Sequence, residues 1–144
     1  MSVPSWKRSV SKTEFIRLLF DLNIRIGEMV ANSPKKYRGS YGDMLIKSAL
    51  EALKYAQTAN SIFVSSSMTE ADYNLRRGLL QQARGTVENI STAGYIFLEQ
   101  IRKHDSEESE KIYRREEYLG RTCGEISKKI AAVMKSDRMV YKKK

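Results

Sequence analysis

One cysteine, one histidine and two prolines are scattered through 144 residues, and each scarcity removes a class of protein. Cys123 alone cannot close an internal disulfide, so the fold must stand on its apolar core, and a reducing compartment is the expected setting. With His104 as the only histidine, no four-ligand zinc site of the usual kind can be assembled within one chain. A carboxylate-bridged metal in a helical bundle needs Glu-x-x-His motifs, and the residue three before His104 is Ile101. No metal and no other cofactor is expected. Long apolar runs are missing as well, which excludes a transmembrane span and a signal-peptide core and points to the cytoplasm. Glycine-rich phosphate loops of the standard spacings and a Cys–His dyad are absent, and the pairs Glu107/Glu108 and Glu116/Glu117 stand near Arg114 and Arg115 as a salt-bridged solvated face. No catalytic residue and no enzyme activity is expected.

What the chain has is positive charge and helical periodicity. Twenty-six basic residues against seventeen acidic ones leave a net charge of +9, which draws a polyanion through non-specific electrostatics. Charge alone does not choose between RNA, DNA and an anionic membrane surface; the expectation adopted is nucleic acid, RNA and also DNA, and no membrane. The length suits one domain, able to bury about two-thirds of the surface its unfolded form exposes.

The stretch from Thr69 to Lys103 organises the rest. Thr69 and Asp72 are placed to cap a helix start. Leu75, Leu79, Ala83, Val87, Ile90, Gly94, Phe97 and Ile101 then recur at steps of three or four, giving an apolar side to a helix of roughly 50 Å. Arg76, Arg77 and Arg84 are assigned to one broad sector of its other side, the leading candidate for a binding surface. Before this helix, Ser11 and Glu14 form a capping box for a first helix with Phe15, Leu18, Leu22, Ile26 and Met29 inward and Leu19 and Val30 widening the stripe. Ile16, Phe20 and Ile24 make that helix apolar over more of its circumference than a surface helix needs, as a central position or a subunit interface would require.

Asn32, Ser33, Pro34 and Gly39 mark a loop carrying Lys35, Lys36, Tyr37 and Arg38, a group able to grip a phosphate backbone and stack on a base, or simply a solvated loop. A second helix is expected from about Ser40 to Phe63, with small inward residues Ala49, Ala52, Ala56 and Ala59 after Leu45, which allow close approach of a larger-residue neighbour. Ile46, Leu50 and Leu53 broaden that seam. A serine-rich turn follows. The acids Asp105, Glu107, Glu108 and Glu110 favour the positive end of a fourth helix, which continues through Ile112, Leu119, Cys123, Ile126, Ile130 and Val133 and is expected to end near Ser136. Cys123 reads as a small core residue. Residues 1–10 are expected to be a flexible basic segment, 11–136 the bundle, and 137–144 a basic tail, either a nucleic-acid arm or a solubilising end. Four amphipathic helices with short loops pack most economically as an all-α, antiparallel up-down-up-down four-helix bundle.

Several residue runs resemble a known family. Ser33-Pro34-Lys35-Lys36-Tyr37 before an alanine-rich helix reaching Ala59-Asn60, Tyr73-Asn74-Leu75-Arg76-Arg77 followed by Ala83, and Ile130 to Met134 followed by Lys135-Ser136-Asp137-Arg138 look like the small four-helix-bundle proteins of mobile elements. Two branches share this look: the accessory variability determinant of diversity-generating retroelements, and proteins encoded in 23S ribosomal RNA intervening sequences. The likeness covers roughly residues 12 to 138. It implies a homopentameric, non-enzymatic accessory protein that binds a reverse transcriptase and template RNA in support of mutagenic retrohoming, with Arg76, Arg77 and Arg84 making contacts to polymerase or RNA. Two alternatives stay open: an intervening-sequence bundle protein, and a structural helical oligomer without a nucleic-acid role.

Overall fold

Periodicity becomes four helices, and the groups at their ends explain where each begins and stops. The computed structural model describes residues 5–104 and 109–142, with side chains from Thr13 onward. Helix α1 spans Ser5–Ala31, α2 Asp43–Asn60, α3 Glu70–His104 and α4 Ser109–Tyr141, with no strand among the described residues. Each packs against two others: α1 and α3 both lie against α2 and α4, and the most extensive seams are those α3 makes with α2 and α4.

At the start of α3 the expected cap is present. The Asp72 amide donates to Thr69 Oγ1 at 3.1 Å, and the acids Glu70 and Asp72 sit in the first turn, where the helix dipole favours negative charge. On α1 the helix already runs from Ser5, so Ser11 is not its cap. Glu14 pairs instead with Arg17 one turn on. Two tight turns, Lys35–Tyr37 and the wider Arg38–Gly42, precede α2 and delay it to Asp43. It stops at Asn60, so Phe63 lies outside it and is 85% exposed.

The core is continuous from Phe15, Leu19, Leu22 and Ile26 on α1 through Leu45, Ala49, Ala52, Ala56 and Ala59 on α2 to Phe97 on α3 and Ile126 and Ile130 on α4. Small residues set the spacing. Because Ala49 offers no bulk, Asn23 on α1 reaches the α2 backbone and donates to Ala49 O at 2.8 Å, sharing its amide with Leu19 O. Gly94 plays the same part between α3 and α4: a Cβ there would lie 2.5 Å from Leu119 Cδ1. Cys123 is buried on the expected ladder, and burial pushes its thiol up to about 12, which keeps it a neutral packing group.

Two further expectations are corrected. The buried stripe at the head of α3 is Tyr73, Arg76, Leu80 and Ala83; Leu75 is 56% exposed and Leu79 only partly buried. The fourth helix does not end near Ser136 but runs to Tyr141, with Asp137 buried and Tyr141 stacked on Tyr73 at 4.1 Å between ring centroids. Much of the expected tail is therefore part of the bundle. Asp105, Glu107 and Glu108 lie outside the described residues, as do residues 1–4.

Candidate nucleic-acid interface

Six cations were expected to form the binding surface, and the structure separates them by partner and by place. Arg76 is buried. Its Nε donates to Asp137 Oδ2 at 2.6 Å and Nη2 to Oδ1 at 3.3 Å, while Nη1 donates to the carbonyls of Ala59 and Ile62, both at 3.0 Å. The last turn of α2 has no basic residue of its own. Arg76 adds a charged donor to the last turn of α2 at Ala59 and to the carbonyl of Ile62 just beyond it, and ties α2, α3 and α4 together. Its expected place in an exposed sector is thereby overturned, because it shares a helical phase with Ala83, seven residues on, which faces the core.

Arg77 and Arg84, also seven apart, do share a surface line on α3. Arg77 is exposed. Arg84 is occupied: Nε donates to Ser127 Oγ at 2.9 Å and lies 3.7 Å from Glu88 Oε1, which Ser127 Oγ also approaches at 3.3 Å. The remaining three sit elsewhere. Gly42, at the head of α2, lies near Val30 and Phe97, whereas Arg76 meets Ala59 at the other end of α2, about 25 Å away at 1.5 Å per residue. Lys35, Lys36 and Arg38 thus stand at the opposite end of the bundle from Arg76 and Arg77.

The loop itself is ordered by its own bonds. Ser33 Oγ donates to Met29 O at 2.7 Å and Arg38 Nε to Ser33 O at 2.9 Å, folding the segment back on the end of α1. Tyr37 is half-buried against the core with Lys36 Nζ 5.2 Å from its ring centre, so its ring is an anchor and not a free stacking surface. Lys35 and Lys36 are exposed.

Beside this loop is a feature that sequence reasoning missed. An open cleft of about 340 Å³ between α1 and α4 is lined by Arg25, Glu28, Met29, Asn32, Arg114, Arg115 and Tyr118. The Arg25 guanidinium lies 4.8 Å from the centre of the Tyr118 ring, a cation–π arrangement that holds it toward the cleft. Burial pushes the Tyr118 phenol up, with Thr122 and Arg25 acting against that through hydrogen bonds. Arg114 is 76% exposed and only loosely paired, 3.7 Å from Glu110. Glu28 is the one acid in the lining against three arginines. Asn32 closes the cleft three residues before Lys35, a reach of about 10 Å along the chain, so the loop lysines stand at the same end of the bundle as the cleft. Arg25, Glu28 and Asn32 recur at steps of three and four, the signal of a shared helix face; nothing in the sequence says that α4 brings Arg114 and Arg115 across from it.

A different surface lies along α1 and α2. Phe20 and Ile24 are 47% and 58% exposed, and Ile46 and Leu50 are 42% and 46% exposed. The Asn23–Ala49 bond puts these four at one height on the two helices, forming an apolar strip outside the α1–α2 seam.

Among the described residues no three His, Cys, Asp or Glu side chains gather closely enough to hold a metal ion, and no helix is long and apolar enough to cross a membrane. Compared with models of protein families, with curated proteins and with solved structures, the chain finds no match.

Proposed function

We propose that this protein is a non-enzymatic accessory protein of the diversity-generating retroelement kind, a self-assembling helical bundle that presents an arginine-lined cleft to RNA and a surface to a reverse transcriptase. The observation that carries the reading is the gathering of Arg25, Arg114 and Arg115 around one cleft, with Lys35 and Lys36 exposed beside it. Arginines that converge on one cleft attract a phosphate backbone better than the same charges dispersed over a surface. An antiparallel up-down-up-down course accords with the contacts between helices: Asn23 meets Ala49 while Val30 meets Gly42, and Arg76 meets Asp137 while Gly94 meets Leu119.

Assembly is part of the reading. The strip of Phe20, Ile24, Ile46 and Leu50 gains by being covered, and a second copy of the chain is the occupant we assign to it, in a homopentamer as the family resemblance implies. The same strip also favours the structural oligomer as a second reading, and RNA binding separates the two. A fluorescein-labelled poly(U) strand titrated with the protein at low salt is expected to bind, and to lose affinity steeply as salt rises because condensed counterions are released. No binding at low salt would leave the structural oligomer standing and remove the accessory role.

A further inference from the structure

We propose that the α1–α4 cleft is a discrete binding track for the phosphodiester backbone of single-stranded RNA, with Arg25, Arg114 and Arg115 as the phosphate contacts and Tyr118 as its aromatic floor. This rests on the RNA-binding reading and narrows it to one groove and one kind of strand.

Three features of the cleft make it a site and not a patch of surface charge. Its cations come from two helices facing each other, so a strand lying between them is gripped from both sides. Guanidinium groups offer paired N–H donors matched to phosphate oxygens, which an ammonium does not. Arg25 is already laid against Tyr118 at 4.8 Å, so little of its side-chain freedom remains to be lost on binding. The Tyr118 ring, covered by Arg25 as Tyr37 is by Lys36, positions that guanidinium and leaves the strand to be held through its phosphates. A single strand is flexible enough to enter the cleft between the two helices, whereas a rigid duplex would reach it with one backbone only.

The test compares two triple variants of equal charge change. Arg25→Gln/Arg114→Gln/Arg115→Gln removes the cleft cations; Lys47→Gln/Arg77→Gln/Lys128→Gln removes three exposed cations elsewhere. Both are titrated against fluorescein-labelled poly(U) over a range of salt, with circular dichroism melting to follow the fold. The cleft variant is expected to lose at least about tenfold in affinity at low salt, and its log–log salt slope should become shallower by about two, from three contacts at roughly 0.7 each. The other variant should bind more weakly by a smaller factor. Equal losses in the two, or an unchanged slope in the cleft variant, would overturn the track while leaving RNA binding intact; failure of the unmodified protein to bind would remove both. Photo-crosslinking of the unmodified protein to 4-thiouridine RNA is independent of any variant's folding. Adducts on the peptides holding Met29 and Tyr118 are expected, and adducts confined to other helices would contradict the assignment.

Discussion

At the scale of single residues, Arg76 illustrates how position overrides type. A guanidinium with two bonds to Asp137 and two to backbone carbonyls is a fastening whose removal strands a buried carboxylate. Arg76→Ala and Asp137→Ala are each expected to lower stability by about 3 to 5 kcal/mol, read from urea unfolding. Arg76→Met/Asp137→Leu should recover part of that loss, because no charge is left unpaired, but not all, since Ala59 and Ile62 lose a donor. A loss below about 1 kcal/mol for both single variants would show that the pair is solvated. A variant reversing charge at Arg76 therefore reports on folding, not on ligand contact. Glu116 is a second case. One of its carboxylate oxygens is buried without a hydrogen-bond partner, and burial, followed by the nearby Glu99 charge, holds its carboxyl above the ordinary value. A raised carboxyl means that the folded state binds the proton more tightly than the unfolded one, so its ionisation destabilises the fold as pH rises. Glu116→Gln should raise the melting temperature at neutral pH, and the gain should vanish as pH falls below the ordinary carboxylate range. A gain that persists in acid would trace the effect to packing.

At the scale of elements, the small-residue face of α2 decides how closely the bundle closes. Ala56 is fully buried, and Ala56→Leu is expected to overpack that seam and cost about 1 to 3 kcal/mol in thermal unfolding; unchanged unfolding would mean that the seam yields freely. This face was legible in the sequence because Ala49, Ala52, Ala56 and Ala59 repeat at helical spacing with few polar interruptions of the phase. The head of α3 was less so. Leu75 and Leu79 attract the eye, yet Arg76 stands on the ladder of Tyr73, Leu80 and Ala83, and that phase was the available signal. What no local pattern gives is its partner, since Asp137 lies 61 residues away. The same limit hid the extension of α4: Asp137 and Tyr141 look like part of a charged tail until Arg76 and Tyr73 are placed opposite them. Lys35, Lys36 and Arg38 were legible as a basic loop, but the arginines beside it come from two helices that meet only in the fold.

At the scale of the molecule, an arginine-lined cleft and an apolar strip are distinct surfaces, and the proposed reading gives a polyanion to one and a copy of the chain to the other. The strip spans α1 and α2 and the cleft spans α1 and α4, so α1 contributes to both without either covering the other. Assembly through the strip would bring several copies of the +9 charge into one particle and raise the density of phosphate contacts along a bound strand, an avidity that one copy lacks. Replacing Phe20 and Leu50 with lysine should dissociate such a particle with little effect on the fold, because both side chains are about half exposed. The most direct test of the account is therefore the solution mass, by light scattering during size-exclusion chromatography at high salt, where nucleic acid is stripped away. A particle five times the 16.5 kDa chain is the expected result. A monomer would contradict the account, leaving the strip uncovered and the cleft to act alone.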